Sequence, residues 1–231
     1  SYNFCLYLCD IQEFTKVILS NLDIWHKYKQ KLYDNNIFKH DYKDTSRINI
    51  NKCLVENEEF KLIYSILNYL KEKNEIEFME DKDNIEVVFK NDYLKGFIFK
   101  SGTWLEVLTT LVVQSIEDID EVKSGLTFYW GDDLKRVRNE LDVVAIRDSV
   151  LICISCKDSD KYDEDALNEL QVYSERLGGR NAIKILVATK QPVKKTVLDR
   201  AKEMNINIVI LDKNIDIFKK VLIDLIKKKT V

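Results

Sequence analysis

Glu140, Asp142, Ser155 and Lys157 carry side chains able to do chemistry, and they flank the short segment Asp148-Ser149. The stretches on either side, Glu140 to Arg147 and Val150 to Lys157, are dense in Val, Ile and Leu and read as strands. A two-residue connection closes a hairpin, and it would set Arg147 opposite Val150, Asp142 opposite Ser155 and Glu140 opposite Lys157. Side chains alternate across a strand, so one face gathers Glu140, Asp142, Ser155 and Lys157, while Leu141, Val143, Ile154 and Cys156 face the other way. Such a group offers acid–base and charge-stabilising chemistry. The polar face of an edge hairpin meeting water carries the same residue types, so geometry alone leaves both readings open. A slip of one residue would scatter the cluster, which makes the register the quantity to check.

The elements that must position these residues follow from pattern. Ser101 is a plausible cap for a helix running to Ile116, with Trp104, Leu108, Leu111 and Val112 on its apolar side. Three strands follow, Leu126 to Trp130 and the two of the hairpin. A helix from Glu164 to Leu177 stops at Gly178-Gly179. Ala182 to Ala188 reads as a buried strand, Lys194 to Met204 as a helix, Ile206 to Leu211 as a strand and Ile215 to Lys227 as a closing helix. The order α-β-β-β-α-β-α-β-α is that of an α/β fold, a mixed sheet flanked by helices. Upstream, residues 11 to 33 read as largely helical and Asn35 to Ile50 as a polar connection. A helix from Glu58 to Lys73 precedes two short strands, Ile76 to Phe78 and Ile85 to Phe89, a winged-helix-like α+β arrangement. The organisation is therefore a helical and linker region over 1–54, a winged-helix-like region over 55–99 and an α/β domain over 100–231.

Composition narrows the chemistry. With 45% hydrophobic and 32% charged residues the 231-residue chain is ordinary globular protein. Histidine occurs only at His26 and His40, far upstream, which disfavours a histidine base, a zinc–histidine centre or a Ser-His-Asp arrangement. Of the five cysteines, Cys153 and Cys156 have redox spacing but fall on opposite faces of one strand, so buried small hydrophobes are expected rather than a disulfide or shared metal. The net charge of −3 shows no overall basic bias, so attraction to a polyanion needs a local patch. Lys227, Lys228 and Lys229 read as a solvated helix end. No apolar stretch approaches the roughly 20 residues needed to span a bilayer, and the start lacks the flanks of a signal peptide. No membrane association and a cytoplasmic location are expected.

Glu106 on the first helix, Asp142 within Asn139-Glu-Leu-Asp-Val-Val and Ser155-Cys-Lys157 at a strand end resemble the PD-(D/E)xK superfamily of restriction-endonuclease-like nucleases. Ser101-Gly-Thr-Trp-Leu-Glu106, Asn139 to Val144 and Leu177-Gly-Gly-Arg180 are more specifically similar to the nuclease half of CRISPR ancillary nucleases activated by cyclic oligoadenylate. The resemblance covers residues 55 to 215. It implies a restriction-endonuclease-like fold and a metal-dependent endonuclease acting on DNA or RNA phosphodiesters in antiviral defence. Glu106, Asp142 and Lys157 would be catalytic, and Mg²⁺ or Mn²⁺ would be held by Glu106, Asp142 and the backbone carbonyl of Cys156. Lys157 would orient the attacking water or stabilise charge on the scissile phosphate. Arg180, Lys190 and Lys194 would meet the nucleic-acid backbone. Glu169, on the helix that borders such sites, is a secondary candidate, and an ordinary surface residue is its bland alternative. Trp104 is expected in the core rather than stacked on a base. A homodimer is implied as well.

Two departures matter. The second acidic residue of the pattern falls at Ser155, a poorer ligand than a carboxylate, for which Glu140 on the same face is the available substitute. A weakened or inactive nucleic-acid-binding module of the same fold is the alternative this opens, and a sensor-independent repair or restriction nuclease is another. The resemblance also implies a sensing domain upstream. The first fifty residues show no βαβ series or glycine-rich phosphate loop, so cyclic oligoadenylate is expected to act only through a sensor domain that this chain does not contain.

Overall fold

The computed structural model describes residues 15–31, 34–90, 94–95, 102–129 and 138–227. Contacts divide the chain into two units, Ser1–Trp104 and Leu105–Val231.

In the first unit, residues 15–20 are helical and α1 (Leu22–Lys29) follows. The remainder of the helix expected over 11 to 33 lies partly outside the described residues. Leu22, Trp25 and Tyr28 recur every three positions and are buried, with Tyr28 packed edge-on against Phe38 at 5.5 Å between ring centroids. The apolar stripe Leu62, Ile63, Ile66, Leu67, Leu70 sits on α2 (Asn57–Glu72), where the spacing predicts it.

Residues 35 to 50, expected as a connection, instead contribute β1 (Phe38–His40) and β2 (Arg47–Asn51). These join β3 (Ile76–Glu80) and β4 (Asn84–Phe89) in an antiparallel sheet of order β1-β2-β4-β3. The reason is legible afterwards. Ile48 and Ile50 point into the core while Arg47, Asn49 and Asn51 alternate outward, so a one-sided strand has a polar majority.

The second unit is built on a five-stranded sheet of order β5-β6-β7-β8-β9. The helix α3 (Thr103–Gln114) leads into it, and the cap expected at Ser101 lies outside the described residues. Strand β5 (Glu121–Tyr129) starts earlier than the apolar run at Leu126 indicates, because an edge strand exposes residues such as Glu121 and Lys123 to water. Strands β6 (Arg138–Arg147) and β7 (Val150–Lys157) form the expected hairpin. Asp148 and Ser149 both hold positive φ, 49° and 64°, the geometry that closes a two-residue turn, and Arg147 pairs with Val150. The first three strands run antiparallel and the last three parallel, giving a mixed sheet.

Helix α4 (Glu164–Gly178) connects β7 to β8 (Ile183–Ala188), and α5 (Lys195–Glu203) connects β8 to β9 (Ile206–Ile210). Both pack on one face through a core of Val144, Cys153, Leu167, Leu170, Leu186 and Val197. The closing helix α6 (Ile215–Lys227) follows β9. Thr109 of α3 meets Cys156, whose side chain points from the opposite face of β7, and Lys219 of α6 donates to the Ser115 carbonyl just after α3.

At Gly178 the end of α4 lies directly against Leu151 of β7. A Cβ there would lie 2.7 Å from Leu151 Cβ and 3.1 Å from Ala182 Cβ. Alanine ordinarily stabilises a helix position by about 0.5–1 kcal/mol relative to glycine. Here overpacking wins, and Gly178→Ala is expected to destabilise by about 1–3 kcal/mol in chemical denaturation.

Candidate active site

Strand β6 is second and β7 third among five, so both have neighbours on either side and their ends are held by the sheet. Their mutual pairing runs from Arg147–Val150 to Val143–Ile154 and goes no further, whereas β7 stays paired with β8 as far as Lys157–Ala188. The two strands therefore part beyond Ile154. At the parting point the Asp142 carboxylate takes up the slack: the Cys156 backbone N–H donates to Asp142 Oδ2 at 2.6 Å, and Ser155 Oγ donates to the same oxygen at 3.2 Å.

A cleft of about 40 Å³ opens there, lined by Glu140, Asp142, Ser155 and Lys157 from the strands, with Ala166, Glu169, Leu170 and Tyr173 of α4 above it. Asp142, Ser155 and Lys157 thus come together at the cleft, but Leu141, expected on the other face, lines it too and packs in the core beneath α4, and strand pairing ends at Val143–Ile154, so the expected pairing of Glu140 with Lys157 does not form. The volume exceeds the ~10–15 Å³ that one water requires and is far below that of a pocket enclosing a small molecule. Lys157 carries no ion pair among the described residues, which leaves its ammonium available to an anion. Glu140 is exposed and lies 3.7 Å from the Arg138 guanidinium.

The α4 wall is held by its own contacts. Tyr173 donates from its hydroxyl to Asn139 Oδ1 at 2.8 Å and packs edge-on against Phe128 at 5.2 Å. Burial, with the Glu169 carboxylate adding to it, raises the Tyr173 phenol above its ordinary value, so it is a neutral donor at physiological pH. Tyr173 is the cleft residue that sequence reasoning passed over. Its signal was the helical spacing Ala166, Glu169, Leu170, Tyr173, which puts all four on one stripe of α4.

Glu106 lies on α3, on the Cys156 side of the sheet, and does not line the cleft. It is close enough to act on Cys156. Burial first, and the Asp142 carboxylate next, push the Cys156 thiol well above its ordinary value; Glu106 pushes in the same direction and Lys157 opposes it. Cys156 is thus the buried centre on which Glu106, Asp142 and Lys157 converge electrostatically. Cys153 and Cys156 are both buried and unbridged, as expected from opposite faces of one strand. Trp104 is fully buried.

The basic candidates separate. Lys190 is exposed and follows β8 at the strand end where Lys157 sits, with Thr189 N–H donating to the Lys157 carbonyl at 3.2 Å. Lys194 shares a shallow depression with Asp163, Glu164 and Asp165, which offset its charge. Arg180 lies seven residues beyond Tyr173, roughly 10 Å at 1.5 Å per residue, just past the end of α4, and does not line the cleft.

Beside the Lys157 ammonium the lining offers three carboxylates, of Glu140, Asp142 and Glu169, and two hydroxyls, of Ser155 and Tyr173, oxygen donors of the kind that hard divalent cations favour. Among the described residues, no three His, Cys, Asp or Glu side chains are already gathered in a metal-holding group. No helix among them is long and apolar enough to cross a membrane.

The sequence profile of a family described as "Card1-like, endonuclease domain" matches residues 95–228. No curated protein matches the chain in sequence. Among solved structures, protein VC1899 from Vibrio cholerae superposes with a TM-score of 0.71 at 19% identity, over 96% of this chain and 57% of that one. Can2 from Sulfobacillus thermosulfidooxidans, solved in complex with cyclic tetra-adenylate, superposes with a TM-score of 0.62 at 17% identity, over 94% of this chain and 56% of that one. The chain thus spans little more than half the length of these two proteins. Likeness at such identities speaks for the fold, a restriction-endonuclease-like mixed sheet with a small α+β region ahead of it.

Proposed function

The chain belongs to the Card1-like endonuclease-domain family, matched over more than half its length, and from that premise we propose that it is a divalent-metal-dependent endonuclease cutting phosphodiester bonds of DNA or RNA in CRISPR-associated defence. The observation that carries the proposal is the joint presentation of Asp142 and Lys157 to one cleft where β6 and β7 part. The carboxylates of the cleft support Mg²⁺ or Mn²⁺ as the cation, with Asp142 and the Cys156 carbonyl as ligands and Glu140 standing in for the acid missing at Ser155; Glu106, outside the cleft lining, would act only through the ion's water. When bound, the cation supplies Lewis-acid polarisation of the phosphate and a more acidic water. Asp142, steadied by the Cys156 N–H, keeps its carboxylate fixed at the strand end. The Lys157 ammonium, without an ion pair among the described residues, meets the scissile phosphate and offsets charge that grows on it. Cys156 takes no covalent part, since burial keeps its thiol protonated.

The partners that accompany this reading are nucleic acid as substrate and a second copy of the chain. Cyclic oligoadenylate, acting through a sensing domain, is the activator that accompanies this reading; the cyclic tetra-adenylate bound in the Can2 structure supports it.

The test is cleavage of plasmid, single-stranded DNA and RNA with Mn²⁺ or Mg²⁺ against EDTA. Metal-dependent products that disappear in Asp142→Ala are expected, and wild-type protein that cuts none of these substrates overturns the proposal. Ser155 favours a second reading, a binding module without cleavage. On that reading Mn²⁺ titration shows no Asp142-dependent uptake while nucleic acid still shifts in mobility.

A further inference from the structure

The first unit carries a polar cleft that cleavage chemistry does not use. It measures about 730 Å³ and lies over β1, β2, β4 and the connection between β1 and β2, within the roughly 300–1,000 Å³ of ordinary ligand sites. Its floor is the outward face of the sheet. Lys39 pairs with Asn49 across β1 and β2, and Asn51 pairs with Asn84 across β2 and β4, so alternation sets ammonium and amide groups on a single surface.

The charges here are unevenly used. Arg47 is consumed by Asp44 at 2.8 Å and Glu86 at 2.7 Å. Asp41 is turned into its own loop, accepting from the N–H groups of Lys43 and Asp44. Lys39 and Lys43 have no ion pair among the described residues. At the rim, Tyr42 is 89% exposed, so its ring buries almost nothing within the fold. The Tyr42 ring and the Lys39 and Lys43 ammonium groups, which have no ion pair among the described residues, thus border the same cleft.

We propose that this face is a binding site for single-stranded nucleic acid, with a base stacked on Tyr42, base edges meeting the amides of Asn49 and Asn84, and phosphates meeting Lys39 and Lys43. Stacking tolerates any base because each has a π face. Amides both donate and accept, as base edges require. An open ring needs an unstacked base, which a duplex does not present. The two ammonium groups favour a polyanion over a neutral polysaccharide, which aromatic and amide groups alone would also suit.

The experiment uses the full chain carrying Asp142→Ala, in EDTA, so that neither cutting nor metal contributes, and measures fluorescence anisotropy of a labelled oligothymidylate. Tyr42→Ala is expected to weaken binding about tenfold, with Tyr42→Phe close to the parent. Lys39→Gln with Lys43→Gln is expected to lower the slope of log affinity against log salt by about 1.4, two contacts on a single strand. Unaltered binding in Tyr42→Ala, or an unaltered slope in the lysine pair, overturns the site. So does a duplex or neutral dextran binding as tightly as the single strand. All these side chains are on the surface, and melting curves matching the parent keep loss of fold out of the result. Failure here leaves the cleavage proposal standing, because no readout involves catalysis.

Discussion

Asp142→Asn folds normally and loses cleavage by about 10³-fold, the scale expected when one charge-holding group is removed from a reacting centre. Asparagine retains an oxygen that can accept the Cys156 N–H, the 2.6 Å bond that marks where β6 and β7 part. It surrenders only the negative charge. Asp142→Ala removes the acceptor as well and leaves that N–H without its partner, which costs a further ~1–3 kcal/mol of stability. Comparing the two variants by initial cleavage rate and by denaturation separates the chemical role from the structural one. Equal stability of Asn and Ala variants would show that the bond does not hold the strand ends, and near-wild-type cleavage by Asp142→Asn would show that the charge is not used.

Ser155→Asp gains metal affinity, by at least about tenfold in Mn²⁺ titration, as the number of charged ligands sets affinity for hard cations. Ser155 Oγ lies 3.2 Å from Asp142 Oδ2, so a second carboxylate arrives beside the first. Without metal the two like charges repel and raise the proton affinity of the pair, so the metal-free variant melts below wild type at neutral pH. Metal reverses the order: at a hundredfold excess over the dissociation constant, binding contributes about 2.7 kcal/mol to the folded state. Ser155→Ala, which only loses a hydroxyl donated to Asp142, changes metal affinity little. If Ser155→Asp binds Mn²⁺ no better than wild type, the cleft at the parting strands is not where the cation sits.

The hairpin shows how far local chemistry reaches. Two residues between two apolar runs suffice to fix Arg147 against Val150, and the strict period of two then puts Asp142, Ser155 and Lys157 on a common face. The buried stripes of α2 and α4 are equally visible, since helical spacing needs no partner to be recognised. Strands β1 and β2 are not visible in the same way. Their outward residues are asparagine, arginine and lysine, and only pairing with β4 shows that Ile48 and Ile50 belong to a sheet.

What the sequence determined by itself is therefore the set of elements from α3 to α6, the register of one hairpin and the side of β7 from which each candidate group projects. Each of these depends on neighbours within a few residues, where backbone geometry leaves few choices. What only the tertiary structure decided is that β7 leaves β6 after Ile154 to follow β8, that Asp142 captures the freed N–H, that Tyr173 walls the cleft while Glu106 approaches from behind Cys156, and that Arg180 stays outside the cleft lining. Those outcomes rest on contacts between residues 13 to 50 positions apart, and no local period encodes which distant strand or helix wins the competition for a given edge.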